Sequence, residues 1–316
     1  MGHDDRDARA IERLVERLEP WLEAFFHPTV RGLERIPDGP GLYVANHSGG
    51  VLFPDAYVLG AALFRHRGLQ DLPYVLAHDL VVRPAVTRRL FVPLGAVRAT
   101  PGNAHRLFVG GHKVLVFPGG DVDAMRPFRD RDRIVFGERR GYLRLAIAEG
   151  VPLIPVVSAG SHSCLVVIDD GRRLAHALGV DRALRVNVCP LVLSVPWGLT
   201  FGFPPPYVPV PTRIFLEVLP PIRFPRVGAE AAADRAYVER CHAEVVRTMQ
   251  AALTRLAAER RRDKRARNAP KIEGLARAFA LGPRGRRLLD RLAEASHLVP
   301  AADPPPASFE AHAAHA

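Results

Sequence analysis

Short apolar runs alternate with helical patterns between residues 41 and 158. The segments between these runs place apolar residues at the spacing of a helix, from about Pro54, then up to Arg88, and again in 138–150. Such alternation is typical of a parallel sheet covered on both faces. We therefore predict an α/β fold with a central, largely parallel sheet flanked by helices. The predicted strands are LYVANH, PYVLAH, KVLVFP and VPLIPVVS, and RIFLEVLPPI at 213–222 is compatible with one more.

Helical patterns also occupy both ends of the chain. Residues 7–26 predict an amphipathic helix that is interrupted or ends near Pro20, because proline lacks the backbone donor. We expect it to pack on the domain, with a position on a membrane surface as the alternative. The C-terminal region predicts a long helix over 234–262, a further helix in GPRGRRLLDRLAEA, and a disordered Pro/Ala-rich tail. The predicted parts are an N-terminal helical segment (1–29), one catalytic domain (30–262) and a basic helical extension with the tail (263–316).

The composition indicates a folded, strongly basic protein. Of 316 residues, 48% are hydrophobic, and 44 Lys and Arg against 33 Asp and Glu give a formal charge of +11. This charge favours an anionic partner, whether phosphate, nucleic acid or a membrane surface. Three widely spaced cysteines without a CxxC pair suggest neither a disulfide framework nor a metal site. The charged N-terminus is unlike a signal peptide, so we expect cytoplasmic synthesis without cleavage.

One long stretch, residues 186–212, carries no charged side chain. It has the length of a membrane span, but its seven prolines argue against a spanning helix. Two interpretations stay open. The stretch, with its aromatic residues Trp197, Phe201, Phe203 and Tyr207, either dips into a membrane interface or forms a buried strand and hairpin.

The segment Leu42–Leu59, LYVANHSGGVLFPDAYVL, joins a strand to a helix through a histidine and two glycines. His47 is expected at the carboxyl edge of the sheet, where open α/β folds place their sites. Pro54 suits the first position of a helix, which places Asp55 in the first turn. If the loop folds back, Asp55 fixes the tautomer of His47 and leaves its other nitrogen as a general base. An ordinary loop histidine is the alternative.

Two further strand ends carry candidate chemistry. In KVLVFPGGDVDAMR, Gly119 and Gly120 allow the backbone to approach a ligand closely, and their amides suit a phosphate or an oxyanion. In GAVRAT, Arg98 has the geometry to hold a phosphate bidentately. A tight turn and a solvated arginine are the simpler interpretations. All three features end strands of one predicted domain, and this conjunction is the stronger signal.

In this order the motifs resemble those of the lysophospholipid (glycerolipid) acyltransferase superfamily, which includes 1-acylglycerol-3-phosphate acyltransferase. NHSGGVLFPD resembles its His/Asp block, GAVRAT its arginine block, VFPGG its Phe-Pro-Gly block and VPLIPV its apolar-proline block, over roughly residues 30–225. FPGGDVDAMRP is nearest the branch that contains diacylglycerol acyltransferases.

The resemblance implies a base, an orienting acid and a substrate-binding region. The catalytic residues would be His47 and Asp55. The substrate-binding residues would be Asn46, Ser48, Gly49, Arg98, Phe117, Pro118, Gly119, Gly120, Asp123 and Pro155. Two departures are visible. Seven residues separate His47 from Asp55, where the family usually has four. Gly119 stands where phosphate-using members have glutamate, which argues against a lysophosphatidate acceptor.

The resulting hypothesis is an acyl-CoA-dependent O-acyltransferase that acts on a glycerolipid or another lipid alcohol. It needs no cofactor, takes acyl-CoA or another acyl thioester as co-substrate, and is expected on the inner face of the cell membrane as a peripheral protein. One alternative is a non-catalytic lipid- or anion-binding protein, and another is a hydrolase that uses the same His and Asp. Nucleic acid is not expected as a partner, since the basic run ERRRDKRARN lacks interleaved aromatic residues.

Overall fold

The structure is a computed structural model that describes residues 6–180, 182, 186–278 and 282–295. The strands in these residues are β1 (Thr29–Arg31), β2 (Gly41–Ala45), β3 (Tyr74–Ala77), β4 (Ala96–Arg98), β5 (Lys113–Val116), β6 (Leu153–Ala159), β7 (Val166–Asp169), β8 (Leu191–Ser194), β9 (Gly198–Phe201) and β10 (Phe215–Val218). The described helices are α1 (Ala8–Phe26), α2 (Pro54–Arg67), α3 (Asp79–Val82), α4 (Ala85–Phe91), α5 (Pro101–Val109), α6 (Gly120–Ala124), α7 (Gly141–Glu149), α8 (Arg172–Ala177), α9 (Ala229–Ala233), α10 (Arg235–Ala278) and α11 (Pro283–Ala295).

Seven of these strands form the central sheet, in the order β1-β10-β6-β2-β5-β3-β4. Within the described residues, β10 runs antiparallel to β6 and every other neighbouring pair of this sheet is parallel. Parallel neighbours require crossovers, which the intervening helices supply. The predicted α/β fold with a largely parallel sheet is therefore confirmed, including the later strand, β10.

The central strand β2 is buried on both faces along its whole length. Leu42 and Val44 pack into one core with α7 and the first part of α10. Tyr43 and Ala45 point to the opposite face, where α1 and α2 cover the sheet. This two-sided burial explains the uninterrupted apolar run in the sequence, since successive side chains of a strand point to opposite faces.

Helix α1 differs from the prediction at Pro20. The expected interruption is wrong, because one helix runs from Ala8 to Phe26 with Pro20 inside it. Pro20 lies on the exposed side of the helix, where the backbone carbonyl that lacks an N–H partner is open to solvent. Ile11 and Phe26, both buried in the core, anchor the helix before and after the proline.

Helix α10 extends beyond the predicted end at Arg262 and continues to Ala278. Its first half packs in the core as far as Ala257, and its later turns are bound by ion pairs. Arg31 contacts Glu259 at 2.5 Å, and Arg213 contacts Asp263 at 2.7 Å. The tail beyond residue 295, for which the sequence predicts disorder, lies outside the described residues.

A second, three-stranded antiparallel sheet has the order β7-β8-β9. The uncharged stretch 186–212 supplies β8 and β9, which form a hairpin. Among the helices that the structure describes, none is long and apolar enough to cross a membrane.

Candidate active site

His47 lies just beyond the carboxyl end of β2, beside the carboxyl end of its parallel neighbour β5. Its ring is clamped between two phenylalanines. The ring centroid is 4.9 Å from that of Phe53 and 4.3 Å from that of Phe117. Only 11% of the side chain is exposed, so most of the imidazole lies within the protein.

Asp55 lies next to His47 in spite of the long connection between them. Its Oδ2 is 3.6 Å from Nδ1 of His47, and Nδ1 has no hydrogen-bond partner among the described residues. Oδ2 instead accepts the backbone N–H of Ser48 at 2.8 Å, and Oδ1 accepts that of Ala56 at 3.0 Å. The carboxylate is 3% exposed, so its charge acts on the ring through protein rather than through water.

The loop between the two residues turns back through positive φ angles. Gly49 has φ +82°, and a Cβ there would lie 2.6 Å from Cδ of Pro54. Phe53 has φ 49°, which is unusual for a residue with a side chain. A short 3₁₀ turn over Gly50–Leu52 separates them. Together these turns take up the extra length and return the chain to α2 with Asp55 facing His47.

A buried ion pair lies beneath the His47 loop. Asp123 accepts the backbone N–H of His47 at 2.5 Å, and Arg126 donates to the carbonyl of His47 at 2.6 Å. The two side chains contact each other at 2.9 Å. Burial raises the pKa of Asp123, an effect that Arg126 and the His47 amide oppose. Asp123 therefore holds the backbone of His47 and is itself fully buried.

Arg126 also reaches the next residue of the loop. Its guanidinium donates to Oγ of Ser48 at 2.8 Å and to the carbonyl of Arg131 at 3.0 Å. Ser48 is 1% exposed, so its hydroxyl is a structural acceptor within the protein. Asn46 is buried as well, and its amide exchanges two hydrogen bonds with the backbone of Ser158 in β6, at 2.8 and 3.0 Å.

The Pro-Gly-Gly turn after β5 is packed against protein. A Cβ at Gly119 would lie 2.2 Å from Cβ of Asp123 and 2.4 Å from the carbonyl oxygen of Val135, so no side chain fits. The amide of Gly120 donates to the carbonyl of Phe117 at 3.0 Å. Pro118 accepts a hydrogen bond from the Arg139 side chain at 3.2 Å.

Two of the residues singled out in the sequence lie away from His47. Arg98 ends β4, which β5 and β3 separate from β2, and neighbouring strands are about 4.8 Å apart. Its guanidinium is half-exposed and pairs with Asp79 at 2.6 Å. Pro155 lies inside β6, opposite Val44 of β2, and it is buried within the sheet.

Four residues near His47 were not predicted from the sequence to belong to the site, namely Phe53, Arg126, His162 and Tyr207. The i, i+3 spacing of Asp123 and Arg126 was an available signal for their pairing. His162 donates from Nε2 to the carbonyl of Arg126 at 2.6 Å, and burial lowers its pKa well below the ordinary value. No local pattern links His162 or Tyr207 to His47, because both reach the site from distant segments.

Tyr207 closes the far side of the loop. Its hydroxyl donates to the carbonyl of Gly49 at 2.8 Å. Cys164 packs at the same carbonyl, and burial raises the pKa of its thiol to about 12. A neutral, fully buried thiol is a poor nucleophile, so Cys164 contributes packing. No group of three or more potential metal ligands occurs among the described residues.

The chain thus has an α/β fold with a largely buried histidine at the carboxyl edge of its central strand. An acyltransferase family model matches residues 27–159. An uncharacterized protein of Mycobacterium tuberculosis is 30% identical over 266 residues, which cover 83% of this chain and 70% of that protein. The chain belongs to the acyltransferase family, and it is an acyltransferase.

Two further comparisons concern named enzymes. A human "DGAT1/2-independent enzyme synthesizing storage lipids" is 28% identical over 211 residues, covering 65% of this chain and 57% of the human protein. The crystal structure of the 1-acyl-sn-glycerophosphate (LPA) acyltransferase of Thermotoga maritima matches with a TM-score of 0.47 and 19% identity, over 79% of this chain and 80% of that one.

Proposed function

We propose that this acyltransferase moves a fatty acyl group from acyl-CoA to the hydroxyl of a lipid alcohol, with His47 as the general base. The observation that carries the proposal is the clamped imidazole of His47, with a buried carboxylate 3.6 Å from its Nδ1. Asp55 favours the tautomer that carries the proton on Nδ1 and supports positive charge on the ring. Nε2 is then the basic nitrogen available to a substrate.

The proposed reaction is a single transfer step without a covalent enzyme intermediate. Nε2 of His47 takes the proton of the alcohol as the alcohol oxygen attacks the thioester carbonyl carbon. The carbon–sulfur bond then breaks, and the proton passes to the thiolate of coenzyme A. Because a thiolate leaves readily near neutral pH, general-base help to the alcohol is the main chemical requirement.

We favour a neutral glycerolipid, such as a mono- or diacylglycerol, as the acceptor. The packing at Gly119 leaves no room for the glutamate that phosphate-using members carry there. The human relative is named for the synthesis of storage lipids, which agrees with this choice. The formal charge of +11 supports work at an anionic membrane face, and we place the enzyme peripherally on the cytoplasmic side of the cell membrane.

The decisive assay incubates the purified full chain with labelled acyl-CoA and a panel of acceptors, namely lysophosphatidate, monoacylglycerol, diacylglycerol and a long-chain alcohol. We expect ester formation with a neutral acceptor. His47→Ala should lower kcat about a thousandfold, the usual contribution of a general base. Asp55→Asn should lower kcat about a hundredfold, because the ring loses its orienting charge.

His105→Ala is the matched control, because His105 is an exposed histidine paired with Glu149 at 2.9 Å on the protein surface. Its activity should equal that of the wild type. Circular dichroism and thermal unfolding would establish that the His47 variant is folded. Ester formation by folded His47→Ala protein at the wild-type rate excludes the proposed base. Release of free fatty acid without ester indicates a hydrolase instead.

A further inference from the structure

The small sheet β7-β8-β9 carries apolar side chains on both of its faces, and its exposed carboxylate, Asp169, ends β7 opposite Leu191. Val167 and Val192 point inward and are fully buried. Leu193 pairs with Leu199, and Leu191 pairs with Phe201, on the opposite face. On that outer face Leu193 is 49%, Leu199 60% and Phe201 71% exposed. An antiparallel sheet with one solvated face normally carries polar residues there, so this face is built for an apolar contact.

The turn and the exit of the hairpin extend the same apolar surface. Trp197, between β8 and β9, is half-exposed, and its indole N–H donates to the carbonyl of Pro206 at 2.9 Å. Since this polar group is satisfied within the protein, the rest of the ring is free to enter an apolar phase. Further exposed apolar side chains of this surface are Ile168, Val195, Phe203 and Val208. No charged residue occurs between positions 186 and 212.

This surface is connected directly to the His47 loop. Val208 forms a β-bridge with Val195 next to the hairpin turn. The adjacent Tyr207 donates its hydroxyl to the carbonyl of Gly49, two residues after His47. The hairpin is therefore joined to the backbone of the His47 loop through Tyr207.

Basic side chains flank the apolar face. Arg172 and Arg173, at the start of α8, follow β7 after Asp170 and Gly171 and are exposed. Arg172 is bound to Asp170 at 2.7 Å, which fixes the first guanidinium close to the sheet. Apolar side chains bordered by arginines fit a bilayer that contains anionic lipid. A second copy of the chain in the same place would bring its own Arg172 and Arg173 near these arginines, and the like charges would repel.

We propose that the outer face of β7-β8-β9, with Trp197 at its tip, docks on an anionic lipid bilayer and delivers a lipid acceptor to His47. The inference rests on the proposed function for the identity of the acceptor, whereas docking itself is measured without catalysis. The partner is the bilayer surface, and the apolar side chains enter its interfacial region while the arginines meet lipid headgroups.

The test measures binding of the full chain to vesicles of phosphatidylcholine and phosphatidylglycerol by co-sedimentation. Leu193→Ser/Leu199→Ser/Phe201→Ser should weaken the partition at least about tenfold, because it removes exposed apolar area. Val109→Ser/Val227→Ser is the matched control. These valines are 74% and 54% exposed near the opposite, amino-terminal edge of the central sheet, and we expect unchanged binding. Equal binding by the triple variant and the control overturns the proposal.

Tryptophan fluorescence gives an independent measurement without altering the hairpin. The chain has two tryptophans, so Trp21→Phe isolates the emission of Trp197. Addition of the vesicles should shift this emission to shorter wavelength, and an unchanged spectrum at saturating lipid contradicts docking. If size-exclusion chromatography shows dimers that the triple variant abolishes, with unchanged vesicle binding, a second copy is the partner and the proposal fails.

The two proposals fail in different ways. Transfer to a short-chain, water-soluble acceptor should be unchanged in the triple variant, while transfer to acceptor embedded in vesicles should fall with the partition. His47→Ala should bind vesicles like the wild type and transfer to neither acceptor. Vesicle binding without transfer by the wild type would leave docking intact and reject the acyl-transfer mechanism.

Discussion

At the scale of residues, His47 is fixed by its backbone as much as by its ring. Asp123 accepts its N–H, Arg126 donates to its carbonyl, and the two phenylalanines clamp the imidazole. The proposed general base must be held at a constant position if the proton is to transfer efficiently. The buried pair of Asp123 and Arg126 thus positions His47. The sequence predicted only Asp123, and predicted it as a substrate-binding residue.

Replacement of Arg126 by methionine should lower the free energy of unfolding by about 3–5 kcal/mol. The substitution leaves Asp123 buried without its cation and the carbonyl of His47 without its donor. Urea unfolding measures the loss. Arg129→Met is the control, since its side chain is 72% exposed and its surface pair with Asp130 should contribute less than about 1 kcal/mol. Similar stabilities of the two variants would contradict a structural role for the buried pair.

At the scale of elements, the loop between β2 and α2 shows why spacing was an uncertain guide. Seven residues separate His47 from Asp55, yet the carboxylate reaches the ring. Phe53 takes a left-handed conformation that costs roughly 1–2 kcal/mol for a residue with a side chain. The stacking of Phe53 on His47 helps to offset this cost. A pattern of residue types shows neither the conformational cost of Phe53 nor its stacking on His47, so the return of the loop was not predictable from the sequence.

Helix α10 is stabilised chiefly by its first half. Leu253 and Met249 are fully buried against the sheet, whereas the turns after Ala257 rely on surface ion pairs. The sequence predicted the helix from its apolar spacing. Just beyond the predicted end at Arg262, Asp263 pairs with Arg213, which lies far away in the chain.

Leu253→Ala should destabilise the protein by about 2–5 kcal/mol, because it leaves a cavity in the core between α10 and the sheet. Thermal and denaturant unfolding report the change. On the same helix, Arg247→Ala alters an exposed position and should change stability by less than about 0.5 kcal/mol. If both variants unfold alike, the helix is not packed as described.

At the scale of the whole molecule, two buried histidines couple stability to pH. Burial, aided by the charge of Arg126, lowers the pKa of His162, and burial with Arg140 lowers the pKa of His242. An unfolded histidine titrates near about 6.5. Below that pH the unfolded chain binds protons that the folded protein does not, so their contribution to stability is complete above about pH 6.5 and declines as the pH falls.

His162→Gln should reduce the loss of stability between about pH 7.5 and about pH 5.5 by up to about 1.4 kcal/mol per pH unit. Glutamine keeps a donor for the carbonyl of Arg126 but cannot be protonated. Denaturant unfolding at both pH values measures the difference from the wild type. The raised pKa of Asp123 acts on stability in the opposite direction, but it does so equally in both proteins. His105→Gln, at an exposed site, should leave the slope unchanged. An identical slope in His162→Gln contradicts the assignment.

The uncharged stretch 186–212 was only partly predictable from the sequence. Its prolines argued against a spanning helix, and the structure forms a hairpin within 186–212. Whether its apolar residues faced inward or outward depended on the pairing of β8 with β7 and β9. Val192 and Leu193 are neighbours in the chain, but one is fully buried and the other is half-exposed.

The sequence by itself determined the α/β fold, the placement of His47 at a strand end and the acyltransferase resemblance. These follow from apolar periodicity and from residue types that are adjacent in the chain. Tertiary structure alone decided that Asp55 meets His47, that Asp123 and Arg126 hold the loop from beneath, and that Arg98 lies apart with Asp79. The reason is physical. Burial and contact depend on which distant segments pack together, and local patterns carry no information about the atoms that another segment brings.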